Sequence, residues 1–254
     1  ETEEDRKKRR GVGGATSETI AARNFLRKIA VGTAAHGDHG RRVAEALIAT
    51  GKGQAPGLEI RDEQKLLAMA LELGVEIGER TNNEIAVDVG EKLLGNFSQQ
   101  EGEIAFIKRA PLKRQEIWRA EGVVPRGIDR EVVEALHRTH MGVDQDYENL
   151  LKQGTRTALA DGWGGSMIAT EIQDVLFGTP QPAVGQINLG VLKEDQVNII
   201  IHGHEPYLAE MLAVVAQTPE IIKYAEDKGA KGINLGGMCC TANEVMMRHG
   251  MPIV

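Results

Sequence analysis

The chain has 254 residues, 41% of them apolar and 26% charged, with a formal net charge of −7. That length allows one large domain or two modest ones around an ordinary soluble core, and the negative balance argues against a nucleic-acid footprint. No apolar run approaches the roughly 18 residues of a membrane span, no secretory leader is expected from the opening residues, and two adjacent cysteines are no disulfide framework, so a reducing cytoplasm is expected.

Residues 1–10 (ETEEDRKKRR) carry nine charges and read as a solvated tail. From Thr16 to about Thr50 the apolar spacing is helical, with Ile20, Phe25, Leu26, Ile29 and Ala30 on one broad face and Thr16 or Ser17 as N-cap. Further helices are predicted at 62–80, 83–94 and 111–120, with Pro111 in the first helical position, where its missing N–H costs nothing. Asp129 and Asp144 are expected to cap helices near 130–140 and 145–160, and another helix is expected over 165–177. Gly- and Pro-rich residues 178–196 read as a boundary, after which the period changes: strand 197–202, helices 206–216 and 219–228, strand 231–236, helix 241–249 with a Thr241–Glu244 capping box, and a strand at 252–254. The fold expected is α + α/β: a tail at 1–10, an all-helical domain over 11–190, and the start of a Rossmann-like parallel-sheet domain over 191–254. Ending inside a third strand, the chain reads as a fragment.

Two segments carry metal-ligand chemistry. His202-Gly203-His204 follows the first predicted strand, and Cys239 and Cys240 follow the second. If the strands are parallel neighbours, imidazole and thiolate converge at one edge of the sheet, where open α/β layers place their chemistry. A thiolate before a capped helix is favoured by the helix dipole, and with imidazole it suits iron or zinc. A buried free cysteine acting as a small hydrophobe is the competing reading. The second segment is Ala34-Ala35-His36-Gly37-Asp38-His39-Gly40, near the expected end of the first helix. His36 and His39, three apart, share a face and could relay a proton. Taken alone, the segment reads as a polar C-terminal turn weakened by two glycines. His137 and His140 have the same spacing and read as a solvated face.

Several motifs together resemble the catalytic subunit of nickel–iron carbon monoxide dehydrogenases. They are Gly11-Val12-Gly13-Gly14-Ala15-Thr16, Ala21-Ala22-Arg23-Asn24, Ala34 to Arg41, Leu159 to Met167 (LADGWGGSM), Phe177-Gly178-Thr179-Pro180, His202-Gly203-His204-Glu205-Pro206, and Cys239-Cys240-Thr241-Ala242-Asn243-Glu244-Val245. The resemblance implies a nickel–iron–sulfur cluster interconverting CO plus water with CO2, protons and electrons. It assigns His204 and Cys240 to an outlying iron, His36 to acid–base chemistry and His39 to the next step of a proton path. It also implies an anaerobic, cytoplasmic homodimer, and leaves open an acetyl-CoA synthase subunit and a ferredoxin-type electron acceptor as partners.

The departures define what this chain lacks. Gly13 stands where the family has a cysteine and no cysteine precedes it, so relay [4Fe–4S] clusters are not supported. The remaining cluster ligands and a catalytic lysine would lie beyond Val254. Arg42 occupies the next place in the histidine file, where the family often has another histidine. The 254-residue chain alone is therefore expected to be inactive. Two alternatives stand beside this reading: a non-catalytic or engineered fragment acting as scaffold or assembly module, and a hybrid-cluster hydroxylamine reductase relative, which the HGHEP and AAHGDHG segments disfavour.

Overall fold

A computed structural model describes residues 15–140, 143–182, 184–185, 187–203, 206–238, 244–245 and 247–250. The chain divides into two compact units, Glu1–Pro56 with Ala68–Ile172, and Gly57–Leu67 with Gln173–Val254. The architecture is α + α/β, helical for most of its length and closing on a two-stranded parallel sheet.

The first unit is organised by α1 (Ser17–Gly51), which packs against three later helices. Thr16 caps it, its hydroxyl accepting from the Thr19 N–H at 3.2 Å. Its buried face is Thr19, Ala22, Leu26, Ala30, Thr33, Gly37, Gly40, Val43, Ala44, Leu47 and Thr50, a 3–4 spacing built largely of small residues. Ile20 and Phe25, expected on that face, are instead more than half exposed. The histidine segment lies in the middle of α1 rather than near its end.

The helix α2 (Glu63–Leu73) stops seven residues before its predicted end. Gly74 takes φ +68°, the Gly74 N–H donates to the Leu71 carbonyl and Val75 to that of Ala70, a glycine-terminated helix end. A full capping box between Thr81 and Glu84 opens α3 (Asn82–Ser98). Pro111 is the N-cap of α4 (Leu112–Ala120), one place earlier than predicted.

Both predicted aspartate caps are corrected. The N-cap of α5 (Ile128–Arg138) is Gly127, where a Cβ would lie 2.2 Å from the Gln99 carbonyl oxygen; Asp129 instead receives the Arg41 guanidinium at 2.8 and 2.9 Å. Asp146 caps α6 (Tyr147–Ala160), accepting from the Glu148 and Asn149 N–H groups, while Asp144 accepts from the Asp146 N–H and pairs with Arg138. After α6 a single π-turn, Asp161–Gly165, leads into α7 (Ser166–Phe177).

Glycines set how closely the π-turn meets α1. A Cβ on Gly40 would lie 2.5 Å from the Gly165 carbonyl oxygen, and one on Gly165 would lie 2.9 Å from the Gly37 Cα. Leu26, Leu47, Leu93, Phe97, Ile104 and Ile128 are fully buried in this unit's core.

In the second unit β1 (Val197–His202) pairs in parallel with β2 (Ile233–Met238), from Val197↔Ile233 to His202↔Met238. The chain between them forms α8 (Pro206–Val215) and α9 (Pro219–Asp227). β2 starts two residues later than predicted because Gly232 holds φ +145°, outside strand geometry for other residues, while Gly236 and Gly237 continue the strand. Ala209, Ala213 and Ala216 meet Ile201, Leu235 and Val245 in a core where alanine permits close approach. The register is fixed by a polar pair: Asn234 Nδ2 donates to Asn198 Oδ1 at 2.8 Å and to the Val191 carbonyl at 3.0 Å. Residues 244–245 and 247–249 are helical; the Thr241 end of the capping box and the strand at 252–254 lie outside the described residues.

Gly40→Ala is expected to destabilise the first unit by about 1–3 kcal/mol, because backbone faces the new methyl. Gly32→Ala, in the same helix with nothing within 4 Å of the added Cβ, is expected to stabilise by about 0.5–1 kcal/mol. Denaturant melts of the two variants should therefore move in opposite directions. Asn234→Ala leaves Asn198 Oδ1 and the Val191 carbonyl without this donor, and the same measurement should show a loss of about 1–3 kcal/mol.

Candidate functional site

The buried flank of α1 presents Gly37 and Gly40 to the π-turn, and this contact brings His36 to Asp161. The turn is defined by the Ser166 N–H donating to the Asp161 carbonyl, five residues back, a geometry that recurs at functional sites. Asp161 sits at its first position. His36 Nδ1 is 2.8 Å from Asp161 Oδ1 and 3.0 Å from Oδ2, and the Ser166 hydroxyl donates to Oδ1 at 3.0 Å. An ionised carboxylate only accepts, so Nδ1 carries the proton, and in the neutral ring Nε2 keeps the lone pair. Both side chains are partly open to solvent, 32% for His36 and 24% for Asp161. This is an imidazole with its tautomer chosen and its ring fixed, the arrangement general-base chemistry requires.

His39 follows one turn along α1, its ring centroid 6.3 Å from that of His36 and tilted by 43°. The place beyond it is taken by Arg42, whose Nε donates to Asp38 Oδ2 at 3.0 Å. That hydrogen bond holds the Asp38 carboxyl below the usual carboxylate range. His137 and His140 are exposed, as expected.

Asp161 is the candidate residue that periodicity and spacing missed. Its partner is 125 residues away and reached through a π-turn, which has no sequence period. The only signal was its position inside LADGWGGSM.

At the sheet, parallel pairing is present as expected, and the final register pair, His202↔Met238, lies at the ends of both strands, just before the two candidate ligand segments of the sequence. His204 and Cys240 each follow that pair by two residues and lie outside the described residues. Among the described residues there is no group of three or more His, Cys, Asp or Glu that could hold a metal. A groove of about 660 Å³ runs along α5, lined by Asp129, Val133, Glu134 and His137 among others. Its charges are already matched, Arg138 by Glu134 and Asp144 and Asp129 by Arg41, so it offers no convergent donor set.

Comparison with known proteins places these features. The family model described as "Prismane/CO dehydrogenase family" matches residues 2–254. The chain belongs to that family. It is 53% identical over 244 residues to "Carbon monoxide dehydrogenase 1" of Methanosarcina acetivorans, covering 96% of this chain and 39% of the relative. It is 44% identical to "Carbon monoxide dehydrogenase/acetyl-CoA synthase subunit beta" of Moorella thermoacetica, with 96% and 36% covered. A solved structure of Ni-free carbon monoxide dehydrogenase from Thermococcus sp. AM4 superposes with a TM-score of 0.90 at 48% identity, over 96% of this chain and 39% of that one. The chain therefore spans well under half the length of the relatives it matches. Among the described residues no helix is long and apolar enough to cross a membrane.

Asp161→Asn replaces an acceptor-only carboxylate with an amide that can also donate to Nδ1, so the residue no longer selects one His36 tautomer. Long-range nitrogen–proton NMR of the imidazoles should show the Nδ1-protonated form of His36 in the parent and a tautomer mixture in the variant. An unchanged pattern would show that Asp161 does not set the ring's proton.

Proposed function

We propose that this chain is part of a carbon monoxide dehydrogenase that interconverts CO and water with CO2, two protons and two electrons. Family membership and the names of the relatives support this reading over a hydroxylamine reductase relative or a scaffold. The observation that carries it is the His36–Asp161 pair with His39 one turn away. The order of helices followed by a parallel two-stranded sheet supports reading a helical domain followed by the opening of an α/β domain.

His204 and Cys240 are the proposed ligands of the outlying iron of a nickel–iron–sulfur cluster. An imidazole and a thiolate form a donor pair suited to iron. Their segments leave one sheet edge at His202↔Met238. Two donors are a partial set, in keeping with a chain that covers 39% of its relatives. When bound, the cluster supplies the sites for CO and water and accepts the electrons.

The chain's own residues do the proton work. His36 Nε2 takes a proton from the water that provides the second oxygen of CO2. Asp161 orients the ring and stabilises the imidazolium that results. His39 receives the proton next, and Arg42, paired to Asp38, takes the following place in the file. The reading includes a soluble cytoplasmic homodimer working anaerobically, with an acetyl-CoA synthase subunit and a ferredoxin-type acceptor as candidate partners. The 254-residue piece alone is inactive in this reading.

The intact gene product, purified anaerobically, should contain nickel and iron and reduce viologen with CO. His36→Ala and Asp161→Asn should each lower turnover by about 10²–10⁴-fold at unchanged metal content, whereas His204→Ala and Cys240→Ser should lower the iron content itself. An intact product free of nickel and iron would favour the scaffold reading.

A further inference from the structure

The π-turn that carries Asp161 is gripped from a side that the chemistry above does not use. Each of its five residues, Asp161-Gly162-Trp163-Gly164-Gly165, faces a different surrounding. Asp161 meets His36. A Cβ on Gly162 would meet nothing within 4 Å, one on Gly164 would lie 2.8 Å from Ile128 Cγ1, and one on Gly165 would lie 2.9 Å from the Gly37 Cα. Three glycines leave two side chains with which the turn can hold its surroundings, and Asp161 is one of them. The other is Trp163, which packs on Trp118 of α4, ring centroids 6.3 Å apart and planes inclined by 58°. That spacing and tilt lie in the range favoured by aromatic pairs. The two are the tryptophans of a sequence with 4% aromatic residues, so the scarcest side chains of the chain are spent on one contact.

Trp118 stands on a braced platform. The Gln115 side chain, buried beside it on α4, donates from Nε2 to the Lys108 carbonyl at 2.9 Å and to the Ala110 carbonyl at 2.6 Å. Arg119 donates to both Glu103 oxygens at 2.8 Å. The Trp118 carbonyl itself accepts from the Val123 N–H at 2.9 Å. A π-turn is a rare departure from the α-helix. Here α1 bounds it on the glycine side, and the tryptophan pair ties it to α4.

We propose that Trp118 is a positioning residue: through Trp163 it holds the π-turn, and with it the Asp161 carboxylate, against His36. Neither indole needs to touch a reacting atom. The consequence for turnover rests on the function proposed above, whereas the positioning does not.

The test uses Trp118→Ala and Trp118→Phe in the intact gene product. Hydrogen exchange of the peptide containing Ser166 reads the turn, because the Ser166 N–H closes it on the Asp161 carbonyl. Long-range nitrogen–proton NMR of His36 reads the placement of the carboxylate. Trp118→Ala should raise Ser166 exchange about tenfold or more and convert the Nδ1-protonated form of His36 into a tautomer mixture. Trp118→Phe, which keeps an aromatic ring, should restore both. The peptide at the start of α3, where the Ile85 N–H donates to the Thr81 carbonyl at 3.1 Å, should exchange as in the parent. Faster exchange with an unchanged His36 pattern, or no change in either, refutes the proposal. So does a phenylalanine variant no nearer the parent than the alanine one, or an equal loss of protection at α3. Should Trp118→Ala fail to fold, Trp118→Leu decides, and unfolding of both would refute positioning in favour of a general folding role. Full turnover in His36→Ala would sink the functional reading, while exchange and NMR still judged the tryptophan contact.

Discussion

The close approach of two backbones is the constraint on which the first unit depends. Gly37 and Gly40 on α1 and Gly165 in the π-turn have no side chains to hold them apart, and so His36 and Asp161 meet. A methyl group on Gly40 or Gly165 would meet the opposite backbone, and one on Gly37 would press on the Ile128 and Phe97 side chains. Helix α1 carries Gly32, Gly37 and Gly40 in its interior, each a cost of about 1 kcal/mol relative to alanine, and for Gly37 and Gly40 tertiary packing replaces what local propensity loses. The π-turn is the irregularity on the other side, and the two sides, 125 residues apart, make one contact.

The second unit solves a different problem with a different device. Its sheet has two described strands, too few to be stable by themselves, and its alignment is enforced by polar groups as well as by the alanine-lined core. Asn198 and Asn234 occupy the same register pair and hydrogen-bond across it, and Asn198 also holds the Lys193 N–H and carbonyl. A slip of one residue would break the Asn234–Asn198 bond and reverse which side chains face the core.

Much of the fold was legible because capping and period are local. Thr16 opens α1, and the change from a helical to a strand pattern near residue 197 is visible in the residues themselves. What was misread was misread for identifiable reasons. The buried face of α1 is built largely of threonine, alanine and glycine, so the larger Ile20 and Phe25 drew attention to the solvent side. Asp144 and Asp146 are both competent caps two residues apart, and only the pairing of Asp144 with Arg138 decides between them. Glycines inside β2 looked like its end. At the candidate site, the histidines and cysteines stand out as residue types, whereas Asp161 resembles the charges of any solvated helix. What singles it out is a partner 125 residues away, which no local pattern carries.

The parallel pairing of β1 and β2 also has a consequence in time. Val197 and Ile233 are separated by a crossover of two helices, and contacts so distant along the chain are costly to close and slow to form. The edge at His202 and Met238 does not exist until that crossover has docked. A nascent chain emerging N-terminus first completes α1 well before it completes this edge. Whatever depends on both strand ends must therefore wait for the sheet, the last part of this unit to be built.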